Sequence, residues 1–279
     1  MKHGVFDYIL AFSGVCLLLL GGCRDHRDRQ SHTEIAVTNS YLACAVTELC
    51  GDDTEVLCLA PPGMCPAHFD ISPSQVKQLC SCRILLLFDF QKQIEQRLSR
   101  VKKKGLKTAS VRETGGLCVP ETYIEVCREV GDVLSAEYPE MSARCRQRLS
   151  AIDKDLKRLR EELLEKVAQA GLSSAKVLAS NHQADFANWL GLETVATFVG
   201  SDIETVAGVE NCIRKAEGQD VRFVIANKQE GAALAEALAQ RLGAKAVVFS
   251  NFPELNGRAR GFNGLLRANV EALLEVAGQ

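Results

Sequence analysis

Length, composition and charge already exclude several classes of protein. The chain has 279 residues, with 33 basic and 35 acidic side chains and a formal net charge of −2. It therefore lacks the excess of basic residues that is typical of nucleic-acid-binding proteins. Aromatic residues make up only 6% and Trp189 is the single tryptophan, which argues against a sugar site built by aromatic stacking. The length suffices for one large domain or for two smaller ones with hydrophobic cores.

The N-terminal segment has the pattern of an export signal. Residues 1–22 combine an early lysine, a short apolar stretch and the small residues Gly21 and Gly22 before Cys23. This ending resembles a bacterial lipobox, and the resemblance implies that Cys23 is lipidated and becomes the first mature residue. The alternative is a transmembrane anchor, but the apolar stretch is too short to span a bilayer comfortably. We therefore expect an exported protein, lipid-anchored to the cell membrane, with a polar tether at 23–32.

Strand-like and helical segments alternate along the rest of the chain. The apolar strand candidates are Glu34–Thr38, Val56–Leu59, Ile84–Phe88, Lys107–Val111, Lys176–Ala179, Thr194–Val199, Arg222–Ala226 and Ala246–Ser250. Between two of them, Ser72 and Pro73 are a typical helix start, a capping residue followed by proline at the first helical position. The alternation predicts α/β architecture with doubly wound parallel sheets.

One segment interrupts this alternation with a single long helix. From Ser142 to Gly171 the apolar residues recur at helical spacing, as Leu149, Ile152, Leu156, Leu159, Leu163 and Val167. About 28 helical residues would extend about 42 Å, the length of a two-lobed protein. We therefore expect an N-terminal α/β lobe at 33–139, a rigid linking helix at 140–171 and a C-terminal α/β lobe at 172–279, with a ligand cleft between the lobes.

Candidate ligand-binding residues follow the predicted strands. Ligands of doubly wound sheets bind beyond the carboxyl ends of the strands. The side chains at these positions are Cys65 and His68, Cys118, His182, Asn227 and Glu230, and Asn251. Because Cys65 and His68 lie three residues apart in a proline-rich loop, they are a workable pair of transition-metal ligands.

Several of these motifs resemble one family. The chain is similar, over essentially all of the part that follows the export signal, to the zinc/manganese-type solute-binding proteins of bacterial ABC transporters. The resemblance rests on Thr38–Leu42, Pro61–Gly63, Pro73–Val76, His182 with Phe186 and Gly191-Leu192, Gly243–Val248 and the long central helix. It implies two α/β lobes joined by a rigid helix, a metal ion bound between them by three histidines and one carboxylate, and an ABC permease subunit as partner.

One ligand position of the family has the same residue type in this chain, and the other positions differ. His182 matches one family histidine. Another expected histidine falls on Ala67, one residue before His68, and the third position is represented by Cys118 in a shifted register. The expected carboxylate falls on Asn251.

These departures leave two interpretations open. In the first, the site is rebuilt from the softer ligands Cys65, His68, Cys118 and His182, which favour Zn²⁺, with Cu⁺, Fe²⁺ or Mn²⁺ as alternatives. Glu230, Asn251 and Asn227 are possible additional cleft residues. In the second, the metal site has decayed and the cleft binds a metal chelate or an organic ligand.

The sequence thus predicts a monomeric extracytoplasmic binding protein that captures zinc and delivers it to an ABC permease, without enzymatic activity. An enzyme is the rival class, with Cys118 and His182 as nucleophile and base. No nucleophile-elbow or phosphate-loop motif supports that alternative. We expect most of the other cysteines to be small buried apolar residues, namely Cys44, Cys50, Cys58, Cys127 and Cys145.

Overall fold

A computed structural model describes residues 34–62, 70–91, 93–94, 98, 105–200, 203–257 and 260–278. The predicted export signal, the lipidation site Cys23 and the loop that carries Cys65 and His68 lie outside the described residues. Within the described ranges, no helix is both long enough and apolar enough to cross a membrane.

Two parallel four-stranded sheets form the framework. The first has the strand order β2-β1-β3-β4, with β1 at Ile35–Val37, β2 at Val56–Cys58, β3 at Ile84–Phe88 and β4 at Lys107–Val111. The second has the order β6-β5-β7-β8, with β5 at Lys176–Ser180, β6 at Glu193–Phe198, β7 at Phe223–Asn227 and β8 at Lys245–Phe249. The neighbouring strands are parallel in both sheets, so the predicted α/β fold is confirmed.

Helices flank and join the two sheets. They are α1 at Ser40–Cys50, α2 at Pro73–Leu79, α3 at Pro120–Glu137, α4 at Ser142–Gln169, α5 at Asn181–Trp189, α6 at Val206–Ala216, α7 at Ala233–Leu242 and α8 at Gly261–Gly278. The 28-residue α4 is the predicted long helix, which confirms that part of the fold. It buries one apolar stripe that includes Ile152, Leu156, Leu159, Leu163 and Val167.

The start of α2 is fixed by the cap that its sequence predicts. Ser72 Oγ accepts a hydrogen bond from Gln75 N at 3.3 Å, and Gln75 Oε1 accepts one from Ser72 N at 3.0 Å. Gln75 Nε2 also donates to the carbonyl of Leu59 at 2.8 Å. The cap therefore holds the start of α2 to the end of β2, on either side of the loop that carries Cys65 and His68.

The last helix connects the two lobes through an aromatic cluster. Phe262 of α8 stacks on Tyr123 of α3 with ring centroids 3.9 Å apart, and both rings meet the edge of Tyr41 of α1. All three side chains are fully buried. Since aromatic rings contribute much of the apolar area that a core buries, this contact ties the C-terminal helix firmly to the first lobe.

Candidate metal site in the interlobe cleft

In each sheet the strand order reverses at one point. The helices that follow the two strands at this point run toward opposite faces of the sheet. The reversal lies between β1 and β3 in the first sheet and between β5 and β7 in the second. Such switch points open a crevice beyond the carboxyl ends of the strands. In the second sheet the crevice is flanked by Ser180, the last residue of β5, and Asn227, the last residue of β7.

His182 and Glu230 meet at this second switch point. His182 is the second residue of α5, and Glu230 lies in the 3₁₀ turn that follows β7. The distance from His182 Nε2 to Glu230 Oε1 is 3.5 Å. The His182 side chain is 61% exposed and that of Glu230 is 17% exposed, so the pair faces solvent from a supported position.

Ser180 orients both members of this pair. Its hydroxyl donates to Glu230 Oε2 at 2.5 Å and accepts from the backbone N–H of His182 at 3.3 Å. Ser180 is fully buried. One hydroxyl thus fixes the carboxylate and caps the helix on which the imidazole stands, which is the kind of outer support that metal ligands need.

A layer of neutral amides lies beneath the pair. Gln183 Nε2 donates to Asn251 Oδ1 at 2.8 Å and to Asn227 Oδ1 at 3.4 Å. Asn251 N in turn donates to Gln229 Oε1 at 3.2 Å. Because Gln183, Asn227 and Asn251 are buried and bonded to one another, this layer shapes the crevice without bringing a charge to it.

Cys118 lies next to the amide layer, in the interior. Its thiol donates to the carbonyl of Ser250 at 3.1 Å and lies 3.5 Å from Asn251 Oδ1. Asn269 of α8 donates to the same Ser250 carbonyl at 2.9 Å and accepts from Ser250 N at 2.9 Å. Burial raises the pKa of the Cys118 thiol far above its usual range, so the folded protein favours the neutral thiol.

The two lobes touch at two places near residues of the pair. Gln229 Nε2, adjacent in sequence to Glu230, donates to the carbonyl of Pro62 at 3.1 Å. Gly116 also approaches α5 so closely that an added Cβ would lie 2.7 Å from the Cβ of Asp185. Glycine at position 116 is therefore what allows this close approach of the lobes.

Carboxylates from both lobes line the same region. The pKa of Glu113 is raised by burial and further by the negative charges of Asp89 and Asp185. Asp89 and Glu113 belong to the first lobe and Asp185 to α5 of the second. Asp89 and Asp185 thus lie close enough to Glu113 for their charges to act on it, and carboxylates grouped in this way favour the approach of cations.

The structure brings together only some of the residues that the sequence singles out. His182 and Glu230 form a pair, whereas Asn227, Asn251 and Cys118 belong to the hydrogen-bonded interior beside it. The predicted ligands Cys65 and His68 lie outside the described residues, and all four proposed ligands remain predictions. Among the described residues, no group of three or more His, Cys, Asp or Glu side chains is placed to hold a metal ion.

Sequence reasoning missed the residues that support the pair and the hydrogen-bonded interior beside it. Ser180 and Gln229 are visible only as polar residues at strand ends. Asn269 has a clearer signal, because it is an asparagine among the buried apolar residues Leu265, Leu266, Val270 and Leu273 of α8.

Comparison with known proteins decides the family. The family model of ZnuA, the periplasmic zinc-uptake complex component A, matches residues 118–276, more than half of the chain. The chain belongs to this family. It is therefore an exported metal-binding component of a transport system.

Solved structures share the fold at low sequence identity. The Mn-bound and Cd-bound periplasmic metal binding protein from Candidatus Liberibacter asiaticus is 12% identical, covers 87% of this chain and 98% of its own, and superposes with a TM-score of 0.73. A crystal structure of ZnuA is 17% identical, with the same coverage and a TM-score of 0.71. A search of curated protein sequences gives no significant match.

Proposed function

We propose that this ZnuA family member captures a transition metal ion, zinc foremost, in its interlobe cleft and delivers it to an ABC permease. It does so as a monomer anchored to the membrane through Cys23, and it binds its cargo without chemical turnover. One observation carries the proposal. The 3.5 Å between His182 Nε2 and Glu230 Oε1 matches the separation of about 3.4 Å expected between two ligand atoms of one tetrahedral zinc ion.

The loop with Cys65 and His68 is the natural source of the remaining ligands. It begins beside Pro62, whose carbonyl accepts a hydrogen bond from Gln229, the neighbour of Glu230. Cys65 follows Pro62 by three residues, and three residues of chain reach at most about 11 Å. The first lobe can thus supply a thiolate and an imidazole to the exposed pair of the second lobe.

The geometry gives Cys118 a different part in the proposal. A thiol that is buried, neutral and bonded to the Ser250 carbonyl must lose its proton and that bond before it binds a metal. We therefore assign Cys118 to the contact between the lobes and Glu230 to the ligand set. Glu230 then takes the place of the carboxylate that the resemblance expects at Asn251.

The donor atoms favour zinc over manganese. A set of one thiolate, imidazole nitrogens and one carboxylate is typical of zinc, whereas manganese prefers oxygen ligands. Structures that share this fold have been solved in manganese-bound, cadmium-bound and zinc-bound forms, so the fold itself accommodates several ions. Cu⁺ and Fe²⁺ are the further alternatives for the softer donor set.

Competition titration of metal-free protein tests the choice of cargo. We expect one equivalent of Zn²⁺ to bind and to displace Mn²⁺, and Cys65→Ala to lower zinc affinity at least tenfold, about 1.4 kcal/mol. Cys58→Ala is the matched control, because that thiol already donates to the carbonyl of Ala60 at 3.1 Å and should leave affinity unchanged. Binding of a metal chelate but no free ion would overturn the proposal in favour of the alternative ligand class.

Lipid anchoring is tested independently of the metal. Cys23→Ser should block processing and leave a longer, unlipidated precursor, as detected by mass spectrometry of the membrane and soluble fractions. Normal maturation of this variant would contradict the lipobox interpretation without touching the metal proposal.

A further inference from the structure

The first lobe meets α5 of the second lobe at a further place, at the opposite end of the helix from His182. Trp189 is the last residue of α5, and its indole N–H donates to Glu121 Oε2 at 3.0 Å. Glu121 is the second residue of α3 in the first lobe. The nine-residue α5 therefore carries the candidate ligand His182 near its start and a hydrogen bond to the other lobe at its end.

The linking helix α4 joins the same contact through Arg160. Its Nη1 donates to Glu121 Oε1 at 2.7 Å, and its guanidinium carbon lies 5.9 Å from the centroid of the Trp189 ring. A cation at this distance from an indole face is attracted by the ring. One carboxylate of the first lobe thus binds the linking helix with one oxygen and the second lobe with the other.

The Trp189 ring is fixed to the core of its own lobe. It stacks on Phe186 with centroids 5.7 Å apart and 18° between the ring planes, and Phe186 meets Phe249 of β8 at 5.6 Å. Phe186 and Phe249 are buried. Because the indole packs on this support, a hydrogen bond to its N–H holds the end of α5 and not only one side chain.

Residues shortly before Glu121 also lie against the second lobe. Gly116 lies against Asp185 of α5, where an added Cβ would be only 2.7 Å from the Cβ of Asp185, and the Cys118 thiol donates to the carbonyl of Ser250. The Glu121 contact differs from these two because it also includes the linking helix. It therefore joins both lobes and the helix between them at a single carboxylate.

We propose that Glu121 is a positioning residue for metal binding, which holds α5, and with it His182, in place at the cleft. The inference rests on the proposed function, because it takes His182 as a metal ligand. A metal site tolerates only small errors in ligand placement, so a ligand on a helix that moves binds more weakly. With Glu121 in place, the metal-free protein already holds α5 as the ion requires, and binding does not have to order it.

Zinc titration of metal-free Glu121 variants tests the proposal. Glu121→Ala releases both the indole and Arg160, and we expect zinc affinity to fall about fivefold, which is about 1 kcal/mol. Glu121→Gln keeps an oxygen that accepts from the indole and should recover most of this loss. Asp153→Ala removes an exposed ion pair with Lys157 within α4, so it is the matched control and should bind like the parent. Equal affinity of Glu121→Ala and the parent would overturn the proposal.

A double substitution separates positioning from a general loss of stability. Trp189→Phe keeps a ring that can pack on Phe186 but has no N–H for Glu121, so it should also lower zinc affinity. If both residues act through one hydrogen bond, Glu121→Ala combined with Trp189→Phe should bind zinc no more weakly than Glu121→Ala alone. Losses that multiply would show that the two residues act independently and would contradict the proposal.

The metal-free protein gives a readout that does not depend on zinc. Trp189 is the single tryptophan, so its indole N–H gives one resonance in a ¹⁵N-edited NMR spectrum. We expect this proton to exchange slowly with water in the parent and rapidly in Glu121→Ala. If the parent binds zinc but its indole proton exchanges rapidly, the positioning role alone is wrong. If the parent protects this proton but binds no zinc, the proposed function is wrong, and the positioning role is overturned with it.

Discussion

The two lobes share one strand order, but different kinds of side chain occupy their switch points. In the first lobe Thr38 Oγ1 donates to Gln91 Oε1 at 2.6 Å, and Phe88 N donates to the same oxygen at 3.1 Å. Thr38 and Gln91 are buried. In the second lobe the equivalent crevice presents His182 and Glu230 to solvent above a buried serine.

This difference shows that the strand order alone produces the crevice, whereas a few side chains decide whether the crevice can bind a ligand. In the first crevice Thr38, Gln91 and the backbone of Phe88 bond to one another, so these neutral groups are already engaged and bring no charge to a cation. A carboxylate and an imidazole at the second crevice retain lone pairs that a metal can use. We therefore expect the first lobe to contribute to a shared site through the residues that follow its strands.

Gln91 should matter for stability and not for binding. Gln91→Leu leaves the Phe88 N–H and the Thr38 hydroxyl without their acceptor, and each orphaned buried group costs ~1–3 kcal/mol. We expect the free energy of unfolding in urea to fall by about 3 kcal/mol. Gln169→Leu, on the exposed face of α4, is the control and should change it little. A loss of zinc affinity in folded Gln91→Leu would place ligand chemistry in the first crevice after all.

Glu230 should show the reverse pattern. Glu230→Gln keeps the shape of the side chain and its bond to Ser180 but removes the charge that a divalent ion needs. We expect about a tenfold loss of zinc affinity, equal to about 1.4 kcal/mol, with little change in unfolding. Glu254→Gln removes the carboxylate that pairs with Lys228 on the same edge and should leave affinity unchanged. Equal affinity of Glu230→Gln and the parent would remove Glu230 from the site.

Substitution of Cys118 tests whether this residue is a metal ligand or a contact between the lobes. Cys118→Ala removes the bond to the Ser250 carbonyl and some packing, which we expect to cost about 1 kcal/mol of unfolding free energy. Zinc affinity should stay near that of the parent, as it should for the buried control Cys127→Ala. A tenfold loss of affinity in Cys118→Ala alone would restore Cys118 to the ligand set.

The smallest expected effect lies away from both crevices, where α4 meets α8. Arg267 first and Lys166 second lower the pKa of Glu162 to about 2, below the value of about 4.3 for an unfolded chain. The carboxylate therefore stabilises the fold above the unfolded pKa, and this contribution is lost as the pH falls toward about 2.

Unfolding of Glu162→Gln at several pH values measures this contribution. The variant should be less stable than the parent near neutral pH by at most about 1 kcal/mol, because the pair is partly exposed. The difference should vanish in acid, and zinc affinity should not change. A difference that grows as the pH falls would contradict the assigned direction.

The fold was largely predictable from the sequence. Continuous apolar stretches predict strands such as Ile84–Phe88 because buried parallel strands are apolar on both faces, and the structure has this strand with the same bounds. The period of the apolar residues predicts α4 in the same way. Strand ends shift by a residue elsewhere, as at Phe223–Asn227, because the last ladder bonds depend on neighbouring strands rather than on local pattern.

The site was predictable only in part. His182 follows from its position after β5, but its pairing with Glu230 depends on the order in which β5 and β7 lie side by side, which no local pattern reveals. Cys118 shows the converse. A thiol at a strand end suggests a ligand, yet its burial against Ser250 and Asn269 follows from how α8 packs across the lobes.

The most direct measurement is a zinc competition titration of metal-free His182→Ala beside the parent. We predict one equivalent of zinc for the parent and an affinity at least tenfold lower for His182→Ala, about 1.4 kcal/mol. Asn181→Ala, which changes the neighbouring exposed residue of the same helix, should bind like the parent. If His182→Ala binds one equivalent as tightly as the parent, the second switch point does not hold the metal.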